Sequence, residues 1–206
     1  MSSRRPPTQV REPEGPWRPT PAEIAAAEDR TVPDVIGRGL RILFCGINPG
    51  LYSGAVGHHF ARPGNRFWKA LHGSGLTPTL LSPFAERELV ALGLGVTNLV
   101  DRATATADRL SREELERGAR RLAAKVRRYA PANVVFLGIG AYRTAFGRPK
   151  ASLGLQEDAI GGARIWLLPN PSGLNAGYPL AALERSFGAL ARDVARAAPS
   201  RRRAVR

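Results

Sequence analysis

The sequence has a single cysteine, Cys45, and no long apolar segment. One cysteine excludes an internal disulfide, a cysteine-ligated iron–sulfur cluster and a cysteine-rich structural zinc site, and this usage is typical of the reducing cytoplasm. No stretch approaches the ~20 apolar residues of a membrane-spanning helix. Arg4 and Arg5 are not followed by the apolar region of a twin-arginine signal. We therefore expect a cytoplasmic protein, nucleoid-associated if bacterial, that has no membrane partner.

Acidic residues are scarce relative to basic ones. The 206 residues include 17 Asp and Glu against 31 Lys and Arg, a net charge of +14. Such an excess favours a polyanionic partner such as nucleic acid. Arginine binds phosphate better than lysine does, because its guanidinium can donate two parallel hydrogen bonds. A basic surface that only keeps the protein soluble is the alternative. The length suits one domain rather than two.

Several familiar catalytic motifs are also missing. The chain has no P-loop, no G-x-G-x-x-G that opens a helix, and no G-x-S-x-G nucleophile elbow. Of the three histidines, His58 and His59 are adjacent, so their side chains point apart in most backbones. We therefore expect no metal site and no cofactor.

The chain divides into three parts by composition. Residues 1–38 are rich in proline and show little apolar periodicity, which predicts a flexible extension with at most one helical turn around residues 22–29. Residues 39–198 carry the patterns of a single α/β domain. Residues 199–206 contain Arg201 to Arg203 and predict a basic tail.

Strand-like and helix-like patterns alternate within the domain. Apolar runs of strand length occupy residues 41–45, 94–97, 133–137 and 164–168. Ser111 opens a capping box before a long amphipathic helix, the last helix begins near Pro179, and shorter helices are predicted over 65–71 and 141–146. This order predicts a three-layer α/β/α fold around a mostly parallel central sheet of at least four strands.

Polar side chains follow the predicted strands. In such sheets ligands bind beyond the carboxyl ends of the strands, which brings Asn48, Asn98, Thr104 and Asn170 to one edge. The carboxamide of Asn48 offers donors and an acceptor without charge, so it suits holding a water or reading a base edge. Alternatively, it closes an Asx-turn in the segment G-I-N-P-G. Phe60 either stacks against a base or belongs to the core.

Four ordered blocks then give a specific resemblance. These are F-C-G-I-N-P-G-L-Y-S (44–53), G-H-H-F-A-R-P-G-N-R-F-W-K (57–69), G-V-T-N-L-V-D-R (95–102) and L-P-N-P-S-G-L (168–174). Together they resemble the mismatch-specific uracil/thymine DNA glycosylase family of the uracil-DNA glycosylase superfamily. The resemblance implies that family's fold and a monomeric, monofunctional enzyme. Such an enzyme flips uracil, or a related mismatched or damaged base, out of double-stranded DNA and hydrolyses the N-glycosidic bond, which leaves an abasic site for base excision repair.

The resemblance also implies residue roles. Asn48 matches the asparagine that positions the attacking water, and Leu174 matches the wedge pushed into the duplex, although a buried core leucine is the alternative. His59 matches a histidine of the thymine-acting branch, with loop packing as the alternative. The expected substrate-binding residues are Ile47, Ser53, His59, Phe60, Asn98, Thr104 and Asn170, and the expected wedge segment is Ser172, Gly173, Leu174 and Asn175.

Charged residues near these motifs complete the expectations. Asp101 is either a second catalytic group or a partner of the neighbouring Arg102 or a loop cap. Arg62, Arg66 and Lys69 lie beside the pocket loop and are expected on the DNA backbone. The basic face of the helix after Ser111 contacts phosphate or is simply solvated.

One departure from the family and three competing functions stay open. Bacterial relatives often have arginine where this chain has Ala176, so the preference for the opposite base is not implied. The sequence leaves three alternatives to a uracil-specific enzyme. These are a glycosylase of broader lesion specificity, a catalytically weak module that binds mismatches or damage, and a small-nucleotide-binding protein. The last is disfavoured because no phosphate cradle is present.

Overall fold

The computed structural model describes residues 18–197. The first 17 residues of the predicted extension and the predicted basic tail lie outside this range. Within it, the seven α-helices are α1 (Pro21–Ala25), α2 (Leu51–Val56), α3 (Phe67–Gly73), α4 (Glu88–Ala91), α5 (Arg112–Tyr129), α6 (Ile139–Phe146) and α7 (Leu180–Ala197). Two short 3₁₀ turns cover Pro83–Ala85 and Ala107–Arg109.

A five-stranded sheet forms the middle of the domain. Its strands are β1 (Ile42–Gly46), β2 (Leu94–Asn98), β3 (Asn133–Leu137), β4 (Gly154–Ile160) and β5 (Ala163–Leu168), in the order β2-β1-β3-β5-β4. The first four strands in that order are parallel, and β4 is antiparallel on the edge. The predicted mostly parallel sheet is confirmed.

Strand β4 escaped the sequence analysis for a physical reason. Its residues are largely exposed except at the end, so it has neither a continuous apolar run nor a clean alternation. It pairs with β5 through a turn at Gly161 and Gly162, both of which have positive φ. An edge strand with one partner can be polar, whereas the four parallel strands must be apolar on both faces.

Two apolar clusters, one on each face of the sheet, give the three layers. Phe44, Val135 and Leu168 on one face pack with α3 and α7, where Phe187 stacks on Phe44 at 5.8 Å between ring centroids. The opposite face packs with α5 and α6, and includes Phe136. Burial on both faces explains why the parallel strands are uninterrupted apolar runs.

Helix α5 begins where its capping box predicts. The Ser111 hydroxyl accepts the Glu114 amide and the Glu114 carboxylate accepts the Ser111 amide, so two free amides of the first turn are satisfied. Gly118 faces the backbone of Leu99, where any side chain would collide with the carbonyl. The helix therefore lies close against the loop that follows β2.

Part of the segment before β1 packs on the domain. Val32 and Val35 are buried, and Val35 exchanges two backbone hydrogen bonds with Val96 of β2, at 2.9 and 2.8 Å. The prolines of residues 18–38 interrupt this short apolar pattern, which is why the sequence predicts an extension there. No helix among residues 18–197 is long and apolar enough to cross a membrane.

Candidate active site

A pocket of about 340 Å³ lies at the carboxyl ends of β1, β2, β3 and β5. This is the edge of the sheet at which the sequence placed the polar loops. Twelve of the predicted site residues line it: Ile47, Asn48, Ser53, His59, Phe60, Arg62, Asn98, Thr104, Asn170, Ser172, Leu174 and Asn175.

Asn48 is held across the pocket rather than within its own turn. Its Nδ2 donates to the carbonyl of Arg102 at 3.1 Å and to the hydroxyl of Thr104 at 2.7 Å. A backbone carbonyl only accepts, so the nitrogen of the amide must face Arg102. Both amide hydrogens are thereby used, and no donor among residues 18–197 bonds Oδ1. The carboxamide therefore presents an oriented acceptor, and the Asx-turn alternative is wrong.

Thr104 acts as an acceptor because its own proton is used elsewhere. Its hydroxyl donates to the carbonyl of Thr106 at 2.8 Å, which leaves a lone pair for Asn48. Further along, the amide of Thr104 donates to the carbonyl of Pro49, and the amide of Val100 donates to that of Ile47. The loops after β1 and β2 are therefore joined by backbone bonds as well as by the asparagine.

Phe60 serves both the core and the pocket. Its ring stacks on Phe67 with 4.1 Å between centroids and 27° between planes, while the residue also lines the pocket. Its φ of 52° lies in the left-handed region, which a bulky residue rarely adopts. Surrounding contacts therefore hold this backbone conformation, and Phe60 packs against the core while it also lines the pocket.

His59 and Asn98 form a buried pair at the back of the pocket. His59 is 2% exposed; its Nε2 lies 3.0 Å from the Pro33 carbonyl and its Nδ1 lies 3.3 Å from Nδ2 of Asn98. Burial lowers the pKa of the His59 imidazole, and this outweighs the nearby Glu86 carboxylate, which acts in the opposite direction. The imidazole is therefore neutral near pH 7.

Glu86 holds the loop that carries these groups. This buried carboxylate accepts the backbone amide of His59 at 2.8 Å and lies 2.9 Å from Nδ1 of His58. The sequence analysis missed it, since Glu86 is 27 residues from His59 and no local pattern connects them. Asn65 and Thr106 also line the pocket without having been predicted. Asn65 stands within the quoted G-N-R-F-W block, where its Oδ1 accepts the amide of Phe67 at 3.0 Å.

Asp101 lies outside the pocket lining. Its carboxylate pairs with Arg121 at 3.3 Å and Lys125 at 3.8 Å, and its side chain is 38% exposed. Arg102, the expected partner, instead binds Glu114 at 2.6 Å and Asp29 at 3.1 Å. The predicted pairing of Asp101 with Arg102 is therefore wrong, and the structure does not bring Asp101 to Asn48.

The predicted wedge segment forms an exposed tip. Leu174 is 66% exposed and its amide donates to the Ser172 hydroxyl at 3.3 Å. At the base, Oδ1 of Asn170 accepts the Ser172 amide at 2.9 Å and Nδ2 of Asn175 donates to the Asn170 carbonyl at 3.0 Å. The core-leucine alternative is wrong, and Gly173 lies at the exposed tip outside the pocket lining.

Arg66 faces the protein rather than solvent. Its guanidinium donates to the carbonyls of Tyr178 at 2.6 Å and Asn175 at 2.8 Å. It also donates to those of Ser172 and Pro171. Because these bonds use its donors inside the molecule, Arg66 holds the wedge segment, and the predicted contact with the DNA backbone does not match its position.

The other two basic candidates are exposed. Arg62 lines the rim of the pocket and Lys69 lies on the outer side of α3, outside the pocket lining. Both keep a free charge for a polyanion among the residues described. Of the three predicted phosphate contacts, Arg62 is thus the one that borders the pocket.

Comparison with known families agrees with this geometry. Within residues 18–197, no three His, Cys, Asp or Glu side chains cluster as metal ligands. The family model described as the uracil DNA glycosylase superfamily matches residues 33–192, well over half of the chain. The matched region starts in the segment that pairs with β2 and ends in α7. The chain therefore belongs to the uracil DNA glycosylase superfamily, and its chemistry is that of a DNA glycosylase, a hydrolase of DNA repair.

Proposed function

We propose that the protein is a monofunctional, mismatch-specific uracil-DNA glycosylase of the uracil/thymine type, which acts as a monomer. It removes uracil, and related mismatched or damaged bases, from double-stranded DNA and leaves an abasic site that initiates base excision repair. The observation that carries this proposal is the orientation of Asn48. Its two amide hydrogens are donated to Arg102 and Thr104, while Oδ1 accepts no hydrogen bond from the part of the chain that the structure describes.

Base extrusion is the first step. Taking a base out of the stack costs a few kcal/mol and costs least at a mismatch, which favours mispaired uracil over paired thymine. Leu174, at the exposed tip, fills the gap left in the duplex. Arg66 supports this step by fixing the backbone of the tip through the carbonyls of Ser172 and Asn175.

The extruded base then enters the pocket beside Phe60. The ring of Phe60 is backed by Phe67, so it offers a fixed stacking surface. Stacking of a base on an aromatic side chain contributes roughly 1–3 kcal/mol and accepts any base. Selectivity must therefore come from the polar groups at the edge of the pocket, Asn98 among them.

Hydrolysis requires an oriented water. The bond between N1 of the base and C1′ of the sugar breaks, its electron pair leaves with the base, and positive charge develops on the sugar. A water that donates to Oδ1 of Asn48 is held for attack on C1′ and releases a proton to solvent. The departing base anion takes up a proton from solvent. Asn48 aligns this water and cannot deprotonate it.

The described residues that line the pocket include no strong general base. His59 and Arg62 are its titratable lining residues among those described, and both ring nitrogens of His59 are engaged by Pro33 and Asn98. Arginine stays protonated. We therefore expect slow chemistry that lacks the 10²- to 10⁴-fold typical of acid–base catalysis.

The direct test is a single-turnover assay with a G:U duplex followed by alkaline cleavage of abasic sites. Wild-type protein should break the uracil strand at the site of the lesion, and Asn48→Ala should be about 100-fold slower because the water is no longer aligned. Binding without strand breakage would favour a damage-binding module instead. Faster release of another lesion than of uracil would favour the broader enzyme.

A further inference from the structure

The amino ends of the four parallel strands form the edge of the sheet opposite the pocket. Helix α5 begins beside the loop that follows β2 and runs back to this edge, where the amide of Gly39 donates to the carbonyl of Tyr129 at 2.8 Å. Helix α7 also runs back to it, because Asp193 pairs with Arg164 near the start of β5 at 2.7 Å. The last turns of both long helices therefore lie close to this edge.

Four exposed arginines, the amino-edge arginines, stand along this edge: Arg38, Arg41, Arg127 and Arg128. Arg41 donates from Nη2 to the carbonyl of Leu92, just before β2, at 2.8 Å. Arg127 lies at the other end, where a Cβ added at Gly161 of the β4–β5 turn would be 3.2 Å from its Cγ. Arg38 and Arg128 are the chain neighbours of Gly39 and Tyr129, which are joined by a backbone bond. From the start of β2 to the start of β5 the row crosses three strand spacings, about 14 Å.

The amino-edge arginines are not neutralised by neighbouring carboxylates. The salt bridges formed among residues 18–197 involve none of the four. Asp193, the carboxylate near the end of α7, is already paired with Arg164. Arg41 donates one of its five N–H groups to Leu92, so the others are available to an anion. The edge is therefore a positively charged surface.

A purely structural role accounts for only half of this charge. Basic residues in the last turn of a helix complement the helix dipole, which explains Arg127 and Arg128 at the end of α5. Arg38 and Arg41 lie outside any helix, in the segment directly before β1, so the dipole does not explain them. The residues that follow α7 add four more arginines to the sequence, Arg201, Arg202, Arg203 and Arg206. The charge therefore belongs to the edge rather than to one helix.

We propose that the amino-edge arginines form a second surface for duplex DNA, so that one protein molecule holds two DNA segments at once. A guanidinium donates two parallel hydrogen bonds to a phosphate, and over about 14 Å of its axis a duplex carries about eight phosphates. The chain belongs to a superfamily of DNA glycosylases, so duplex DNA is the polyanion that we assign to this surface. The inference goes beyond the proposed reaction.

The second surface is separate from the pocket. The parallel strands that join the two edges are five or six residues long, so the edges are at least about 17 Å apart. A straight duplex seated on Leu174 therefore does not reach the amino-edge arginines. Contacts to phosphate carry no sequence information, so this surface holds any duplex. A molecule bound to one segment can then capture another before it releases the first.

Stoichiometry tests this directly. Two short duplexes of about 15 base pairs carry different dyes; one has a G:U mismatch with 2′-fluoro-deoxyuridine, whose fluorine hinders cleavage, and the other is fully paired. At low salt we expect sedimentation to show one wild-type protein with both duplexes, and four phosphate contacts predict a salt slope of about −3.6 for the second. A limit of one duplex per protein would overturn the proposal. So would a complex of two proteins with two duplexes, which self-association explains.

The matched variants remove the same charge from different places. Arg127→Gln with Arg128→Gln should weaken binding of the second duplex about tenfold or more, make its salt slope shallower by about 2, and leave the first duplex within about twofold. Arg18→Gln with Arg30→Gln is the control, since these exposed arginines flank α1, which packs on α2 near the pocket. It should keep both duplexes. Equal losses in the two double variants would assign the effect to net charge and overturn the proposal.

NMR of ¹⁵N-labelled wild-type protein tests the location without any variant. The amides of Gly39 and Gly161 lie at the amino-edge arginines, so we expect their signals to shift with the second equivalent of duplex and not with the first. No shift with the second equivalent would overturn the proposal. Shifts caused by phosphatidylserine vesicles but not by duplex would assign the edge to a membrane surface and overturn it as well.

Failure of the proposed function has a different signature. A protein that does not cleave a G:U duplex but binds two duplexes would lose the glycosylase assignment and keep the second surface, because the stoichiometry requires no chemistry. Cleavage of G:U by a protein that binds one duplex only would do the reverse.

Discussion

The hydroxyl of Thr104 lies 2.7 Å from Nδ2 of Asn48, although the two residues are 56 positions apart in the sequence. Because the Thr104 proton is donated to Thr106, the hydroxyl accepts from Asn48, which fixes the amide. Thr104→Val keeps the shape and removes the acceptor. We expect uracil excision under single-turnover conditions to slow by about 5-fold, with smaller effects on DNA affinity, since one hydrogen bond contributes about 1 kcal/mol.

The matched control for this prediction is Thr79→Val, an exposed threonine away from the pocket. It should keep the wild-type rate. A double variant with Asn48→Ala should be no slower than Asn48→Ala alone, because both changes remove the same alignment of water. Additive losses would show that Thr104 acts independently of Asn48.

Arg66 and Arg62 should differ in the salt dependence of DNA binding. Arg62→Ala should remove the proposed phosphate contact, so the slope of log K against log salt should become shallower by about 1. Arg66→Lys keeps the charge but cannot reach the several carbonyls of the wedge segment. It should keep the salt slope and slow base extrusion, measured with 2-aminopurine next to the mismatch. A shallower slope for Arg66→Ala would return Arg66 to the DNA backbone.

Leu174 should matter for duplex DNA only. Leu174→Ala shortens the exposed tip, so excision from a G:U duplex should fall by about 10-fold or more, since the gap in the stack is no longer filled. Excision from a single strand, where no gap forms, should change little. Leu155→Ala, at an exposed leucine of β4, is the control and should affect neither substrate. Equal losses on both substrates would argue against a wedge.

The buried histidine makes stability depend on pH. The pKa of His59 in the folded protein is lowered by burial from the ordinary 6.5, so the unfolded chain binds this proton more tightly. Above the pKa of His59 in the unfolded chain, this histidine has no pH-dependent effect on stability. The free energy of unfolding falls as the pH drops from about 6.5 toward the lower pKa of the folded protein. Urea unfolding between pH 5 and 8 should show this loss in wild type and in the exposed control His72→Asn, and less of it in His59→Asn.

Asp101 should be dispensable for chemistry. Its salt bridges with Arg121 and Lys125 are partly exposed, so Asp101→Asn should lower the free energy of unfolding by less than about 1 kcal/mol. Excision of uracil should stay within a factor of about two of wild type, in contrast to Asn48→Ala. A loss of 100-fold or more would make Asp101 the missing base.

Features governed by local pattern were predictable from the sequence. The four parallel strands are buried on both faces, so each is an apolar run that the sequence shows directly. Ser111 marks the start of α5. Because the carboxyl ends of parallel strands meet at the same edge of a sheet, the loops of Asn48 and Asn98 are placed together without any long-range information. Position along the chain was therefore enough to find the pocket.

Side-chain partnerships that cross the chain were not predictable. Arg66 looks like a free cation in G-N-R-F-W, and only the tertiary structure shows it bound to carbonyls more than 100 residues away. Glu86 and Pro33 act on His59 through buried contacts that no spacing encodes. Tertiary packing likewise decides which charged residues pair, which is why Asp101 binds Arg121 and Lys125 of α5 instead of Arg102.

The pairing of β1 with β2 has a mechanical consequence. Gly46 and Asn98 are register partners in the sheet, and the amide-to-carbonyl bonds from Val100 to Ile47 and from Thr104 to Pro49 continue that pairing beyond the strands. The carboxamides of Asn48 and Asn98 are thus attached to one hydrogen-bonded frame. A displacement of either strand therefore moves both carboxamides together. The distance between them is fixed by the sheet before any base binds.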